Sequence, residues 1–196
     1  QENEEALDGK IVISMANALV RVKKEFQPLV PPRGSVAAHV QAGAELTIGC
    51  IEVSLEEARS FGVMSVDEEY RITRFTEKPQ DPECVPGKPD VALASMGIYI
   101  FSMEFLTKAL IHDAEDETSQ HDFGRNIIPA AIQHAKSIAY PYLGAEGEPA
   151  YWRDVGSLHS YWKANIELCD IEPELNLYER DWPIWTYQTQ HPPAKF

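Results

Sequence analysis

Apolar and polar positions along the chain change their spacing several times, and each change marks an element. Leu46 to Val53 (LTIGCIEV) reads as a strand, Ser54 to Ser60 as a short helix, and Tyr70 to Phe75 as a strand ending at a polar Glu-Lys-Pro. Ala92 to Phe101 (ALASMGIYIF) is almost continuously apolar with Gly97 inside it. That is the pattern of a central strand covered on both faces, with one place where something approaches the backbone. Met103 to His112 sets Phe105, Leu106, Ala109 and Leu110 on one helical face. Ile127, Ile128, Ala131, Ile132 and Ala135 repeat the spacing behind an Asp122 cap, with Pro129 expected to kink or split that helix. Ser137 to Leu143 alternates as a strand, and Leu158, Trp162, Ile166 and Cys169 mark a last helix capped by Ser157. Strands and helices in alternation predict an α/β domain.

The first part of the chain follows no such grammar. An acidic start, a ten-residue apolar run (Ile11 to Val20), a basic cluster (Arg21, Lys23, Lys24) and the breakers Pro28, Pro31, Pro32 and Gly34 show no sustained period. Residues 1–37 are therefore expected to be an atypical, poorly ordered or non-homologous segment, and residues 38–196 the folded part. The apolar run is too short for a membrane span, and it follows Glu2, Glu4, Glu5 and Asp8 where a signal peptide would carry basic residues. The tail from Pro173 to Phe196, rich in proline and aromatics, is expected to wrap as an extended segment.

Length and composition narrow the functional classes. A chain of 196 residues, 44% hydrophobic and 24% charged, fits one soluble globular unit with at most an appendage. Its 17 basic and 31 acidic residues give 17 − 31 = −14, a field that repels phosphate backbones and anionic lipid, so no nucleic-acid or membrane partner is expected. A small anion remains compatible with this charge, because a few placed cations can hold one phosphate. Cys50, Cys84 and Cys169 are too few and too scattered for a disulfide framework, which points to a reducing cytoplasm.

Two clusters are candidates for chemistry. In Phe75-Thr76-Glu77-Lys78-Pro79 a strand delivers an acid and a base side by side to a loop that proline stiffens. Neighbours on a strand point to opposite faces, so Lys78 could meet a phosphate while Glu77 accepts from hydroxyls; the plain alternative is a solvated charge pair. In Tyr151-Trp152-Arg153-Asp154-Val155-Gly156-Ser157 the carboxylate could ligate Mg²⁺ beside substrate phosphates, or simply cap a helix or pair with Arg153. His121-Asp122-Phe123-Gly124 lacks a second His or Cys at ligand spacing and reads as a helix cap. No G-x-S-x-G elbow, G-x-G-x-x-G or Walker loop is present in the sequence.

Read in order, six motifs resemble the ADP-glucose pyrophosphorylase (glucose-1-phosphate adenylyltransferase) family. They are Phe61-Gly62-Val63-Met64, Phe75 to Pro79, Ser95 to Phe101, His121 to Gly124 with Ile127-Ile128-Pro129, Tyr151 to Ser157 with Tyr161 to Asn165, and Pro192 to Phe196. The resemblance implies the sugar-phosphate half of a mixed-sheet, Rossmann-like nucleotidyltransferase domain. The implied reaction makes ADP-glucose and pyrophosphate from ATP and glucose 1-phosphate, for glycogen or starch synthesis. It also implies roles: Lys78 on the phosphate, Glu77 and Ser95 on glucose hydroxyls, Gly62 at a close backbone approach, and Asp154 as a ligand of Mg²⁺.

The departures shape the expectation as well. The family's Gly-rich triphosphate loop and its Gly-Asp-His strand have no counterpart in residues 1–40, where Leu29 to Val36 reads LVPPRGSV. The family's left-handed β-helix would begin after Phe196. The domain is thus expected to be incomplete, with little turnover alone and with association through an exposed sheet edge. Two other readings stand beside it: a non-catalytic binding or regulatory subunit that partners a complete homologue, and a sugar-1-phosphate nucleotidyltransferase using another nucleotide.

Overall fold

The computed structural model describes residues 10–14, 18–20, 34–143 and 150–175. In chain order the elements are β1 (Lys10–Ser14), β2 (Ala18–Val20), α1 (Gly34–Ala42), β3 (Leu46–Ser54), α2 (Leu55–Ala58), β4 (Gly62–Val66), β5 (Ile72–Glu77), β6 (Val91–Ser102) and α3 (Met103–Glu115). A π-helical turn (Phe123–Ile127), α4 (Ile128–His134), β7 (Ser137–Pro141), β8 (Trp152–Asp154) and α5 (Leu158–Glu167) follow.

The main sheet runs β5-β4-β6-β3-β7, with β1 also paired to β6. Among the described residues only β3 and β7 pair in parallel; the other pairs are antiparallel, so the sheet is mixed. As its unbroken apolar run predicts, β6 is central, and the two apolar faces each have a core. On one face Leu46, Ile48, Cys50, Met64, Leu93, Tyr99 and Phe101 pack beneath Leu106 of α3 and Ile128 and Ala131 of α4. On the other, Ile51, Ala94 and Met96 pack with Trp152 of β8. Strand β8 itself pairs with β2 in a separate two-stranded sheet, Ala18 opposite Asp154.

Gly97 marks a bulge. Gly49 pairs with Ile98 but Cys50 pairs with Ser95, so Met96 and Gly97 are two residues without partners, and Gly97 takes φ 70°. That conformation suits glycine, which carries no Cβ. Two extra residues preserve the alternation of the strand, so Ser95 and Tyr99 remain on the same face. The Ser95 hydroxyl closes the bulge by accepting from the Gly97 amide at 3.2 Å.

Several boundaries differ from the sequence reading for local reasons. Strand β5 starts at Ile72 because Tyr70, at φ 59°, sits in a turn where its amide donates to the Asp67 carbonyl at 3.1 Å. The segment around Pro129 divides into a π-helical turn and α4, with proline in the first turn of α4, where its missing N–H costs nothing. Residue 38, where the composition changes, falls inside α1, and Lys10–Ser14 lies in register with Ser102 to Ile98. The stripe of α5 is turned outward: Leu158 is 90% exposed, Trp162 58% and Ile166 48%, while Ala164 is buried. The inward face is Ser160, Ala164, Glu167 and Leu168, and Arg153 beside it draws in the Glu167 carboxylate. The expected extended tail beyond Leu175, including Pro192 to Phe196, lies outside the described residues.

Candidate functional site

Gly62 opens β4 directly opposite Glu77, the last residue of β5. A Cβ on Gly62 would stand 2.5 Å from Cζ of Phe75 and 2.9 Å from Oε2 of Glu77, closer than atoms pack. Glycine is therefore what lets the Phe75 ring and the Glu77 carboxylate close over this strand. Gly124, in the π-helical turn, also comes close: an added Cβ there would lie 3.5 Å from the same Oε2. Two motifs separated by more than forty residues thus bracket one carboxylate.

A hydroxyl pair stands nearby on the same sheet face. Ser95 Oγ and Tyr99 OH are 3.4 Å apart, and Tyr99 stacks on Phe123 with ring centroids 6.4 Å apart. Burial, and then the carboxylates of Glu77 and Asp122, hold the Tyr99 phenol above its ordinary value, while its contact with Ser95 acts the other way. Gly62, Glu77 and Ser95 are accordingly brought into one neighbourhood, with Tyr99, Asp122 and Gly124 added to it. Asp122 caps the π-helical turn as expected, accepting from the Arg125 amide at 2.9 Å. Tyr99 was hidden in the sequence because it reads as one more member of an apolar run. Its signal is the even spacing from Ser95, which puts both side chains on one face of a strand and survives a bulge of two residues.

Lys78 follows at φ 49°, a left-handed conformation that costs a residue with a Cβ roughly 1–2 kcal/mol. Its amide donates to the Phe61 carbonyl at 2.9 Å, which fixes the corner where β5 ends. Pro79 behind it disfavours the right-handed helical region, so the chain turns sharply as Glu77 leaves the sheet. The Lys78 side chain is exposed, and among the described residues no carboxylate forms an ion pair with it.

Asp154 stands apart from that cluster, beside a cavity that none of Gly62, Glu77, Lys78 and Ser95 lines. Trp152, two residues earlier on β8, meets the Phe61 ring edge-on at 5.3 Å, and Phe61 is the residue whose carbonyl holds Lys78. A cavity of about 380 Å³ lies here, with Phe61, Trp152, Asp154, Lys163, Glu52 and Glu57 among its walls. Asp154 is neither a helix cap nor a partner of Arg153. Ser157 caps α5 by accepting from the Ser160 amide at 3.1 Å. The Arg153 guanidinium donates to Glu167 and Glu174, each at 2.9 Å, and lies over the Tyr151 ring at 4.8 Å. The Asp154 carboxylate accepts only from the Gly156 amide, at 3.2 Å, among the described residues. A Cβ on Gly156 would approach both of its oxygens, at 3.2 and 3.3 Å.

Among the described residues no three His, Cys, Asp or Glu side chains form a metal-binding group. One carboxylate beside a polar cavity nevertheless fits Mg²⁺, which keeps several waters and takes one or two carboxylates together with substrate phosphates. No described helix is long and apolar enough to cross a membrane.

Comparison with known proteins agrees with this architecture. The family profile "Nucleotidyl transferase" matches residues 11–171, starting within the segment whose sequence looks atypical. Glucose-1-phosphate adenylyltransferase of Thiobacillus denitrificans is 60% identical over 158 residues, 81% of this chain and 36% of the relative. The protein of that name from Hydrogenovibrio crunogenus is 60% identical over 158 residues, covering 81% and 37%, and that from Nitrosococcus oceani 55% over 163 residues, covering 82% and 38%. The chain spans 36%, 37% and 38% of the lengths of these three relatives. A mixed sheet with helices, matched by the family profile from residue 11 to residue 171, establishes that the chain belongs to the nucleotidyl transferase family.

Proposed function

We propose that this chain provides the sugar-1-phosphate side of glucose-1-phosphate adenylyl transfer. The observation that carries the reading is the Glu77 carboxylate bracketed by Gly62 and Gly124, with the Ser95 and Tyr99 hydroxyls on the same face. A pyranose needs acceptors and donors for several hydroxyls within one small volume, and this cluster offers both. The names of the relatives support glucose 1-phosphate and ATP as substrates and ADP-glucose as product.

In this reading Glu77 accepts from glucose hydroxyls, Ser95 exchanges hydrogen bonds with them, and Gly62, by letting the Phe75 ring and the Glu77 carboxylate lie against its strand, sets where Glu77 meets the sugar. Lys78 neutralises the phosphate from the corner where β5 ends. The phosphate oxygen of the sugar attacks the α-phosphorus of ATP; the new P–O bond forms as the α–β bridging bond breaks and pyrophosphate leaves. A sugar phosphate is already ionised at neutral pH, so the step needs alignment and charge neutralisation but no general base. Asp154 would hold Mg²⁺, and when bound that ion supplies positive charge to the phosphate oxygens. The orientation of Arg153 toward Glu167 and Glu174 leaves Asp154 available for this. Charged, membrane-impermeant substrates of this class support action in the cytoplasm, and the outward apolar residues of α5 support association.

The test is calorimetric titration of the chain with glucose 1-phosphate and with ADP-glucose in Mg²⁺ buffer, repeated on Lys78→Ala. Binding weakened by at least ~1.5 kcal/mol, the lower end for a charge-assisted contact, is expected. A folded chain that binds neither ligand contradicts the proposal.

A further inference from the structure

The turn that carries Asp122 and Gly124 to Glu77 is preceded by a loop whose geometry is held by one side chain of α3. Asp113 lies in the last turn of α3, and its side chain is only 13% exposed. Its two carboxylate oxygens are divided between two residues of the following loop. Oδ1 accepts from the Ser119 hydroxyl at 2.6 Å, and Oδ2 lies 2.9 Å from Nδ1 of His121. Because a carboxylate only accepts, that ring nitrogen carries the proton. The Ser119 hydroxyl oxygen in turn accepts from the His121 amide at 3.0 Å, closing the set.

His121 stands at φ 54°, a left-handed backbone that an imidazole-bearing residue adopts at a cost unless something holds it. The next residues are Asp122, whose carboxylate takes the Arg125 amide and whose amide donates to Asn126 Oδ1 at 3.3 Å, then Phe123 against Tyr99, then Gly124 against Glu77. The left-handed residue is the corner at which the chain leaves the loop and enters the π-helical turn. Holding that corner sets where the turn begins.

We infer that Asp113 is a positioning residue: with Ser119 and His121 it clamps the left-handed corner at His121 and thereby places Asp122, Phe123 and Gly124 against Glu77 and Tyr99. The inference rests on the proposed sugar site for its functional consequence, but the clamp is a structural claim in its own right. Asp113 hydrogen-bonds to Ser119 and His121 and to none of Glu77, Ser95 and Tyr99. Glu104, at the other end of α3, takes no part in the clamp and pairs instead with Lys108 at 2.6 Å on the exposed surface of the helix.

The experiment compares wild type, Asp113→Ala, Asp113→Asn, His121→Asn and, as a control, Glu104→Ala, using the full chain. Two readouts are taken: glucose 1-phosphate affinity by calorimetry, and the backbone amide spectrum at Phe123, Gly124 and Glu77. Asp113→Ala is expected to weaken binding about tenfold, the scale of loss when a positioned group is misplaced, and to shift those three amides. Asp113→Asn retains one oxygen acceptor and is expected to fall between alanine and wild type. His121→Asn keeps a residue that tolerates the left-handed region but shortens the reach to Asp113, and is expected to behave like Asp113→Asn. Glu104→Ala leaves affinity and amides unchanged. Should Asp113→Ala not fold, Asp113→Asn and His121→Asn decide the matter by the same two readouts. Variants that bind like wild type overturn the inference. If wild type itself does not bind glucose 1-phosphate, the sugar-site reading fails; the clamp is then upheld by shifted Phe123, Gly124 and Glu77 amides and overturned by unshifted ones.

Discussion

Gly62 and Glu77 face each other across the β4–β5 pair so closely that a single methyl group on Gly62 would come within 2.9 Å of the Glu77 carboxylate and 2.5 Å of the Phe75 ring. Gly62→Ala is therefore expected to destabilise the fold by about 1–3 kcal/mol, the usual cost of overpacking, and to push Glu77 out of place. Urea unfolding measures the first effect and glucose 1-phosphate titration the second. Unchanged stability and affinity would mean that this approach is not tight in solution.

Lys78 separates a backbone effect from a charge effect. At φ 49° its Cβ is a liability, so Lys78→Gly is expected to be more stable than Lys78→Ala by about 1 kcal/mol. Both lose the ammonium, so both are expected to lose the same affinity for the sugar phosphate. Equal stabilities would argue against the left-handed corner, and unequal affinities against a pure charge role.

Ser95 has a structural duty in addition to the proposed one. Ser95→Ala removes the acceptor for the Gly97 amide in the bulge, which is expected to cost about 1 kcal/mol, and it also removes the partner of Tyr99 OH. Tyr99→Phe keeps the bulge intact and is expected to cost less stability in the same unfolding experiment. A Tyr99→Phe variant less stable than Ser95→Ala would contradict this division.

Alkaline pH should unfold the chain through its buried acids. Burial raises the thiol of Cys50 and the phenols of Tyr99, Tyr140 and Tyr142, with Tyr140 pushed up to about 12. Groups whose folded pKa exceeds the unfolded value keep the native state more protonated than the unfolded one. The stability they favour is complete below the unfolded pKa and is lost as pH rises through the folded one. For Tyr140 the window runs from about 10, the ordinary phenol value, to about 12. Urea midpoints measured from pH 8 upward are expected to fall together with the appearance of tyrosinate absorbance. A flat profile to pH 12 would count against burial of these groups.

The sequence was most informative where one local pattern settles the structure. The unbroken run Ala92 to Phe101 placed β6 at the centre of the sheet, and Ser157 and Asp122 announced their caps. It was least informative where distant segments meet. Leu158, Trp162 and Ile166 have the spacing of a buried stripe, yet Ala164 faces inward, because the packing of α5 follows β8 and the Arg153–Glu167 pair. The candidate site shows the same division. Glu77, Lys78 and Asp154 stand out as charges beside turns. The bracketing of Glu77 by Gly62 and Gly124 depends on strand register and on the π-helical turn, neither of which local spacing encodes. The clamp at Asp113 depends on a left-handed histidine, a conformation with no compositional signature.

The central claim is that Glu77, Gly62 and Gly124, with the Ser95–Tyr99 pair, form a sugar-phosphate site. The most direct test follows glycine amides in a two-dimensional nitrogen–proton spectrum while glucose 1-phosphate is added. Gly62, Gly97 and Gly124 are expected to move together along one saturable course, while Gly43 and Gly87, which have no neighbour near where a Cβ would stand, stay fixed. Saturable shifts elsewhere with those three glycines unmoved, or no saturable shift from a folded chain, would contradict it.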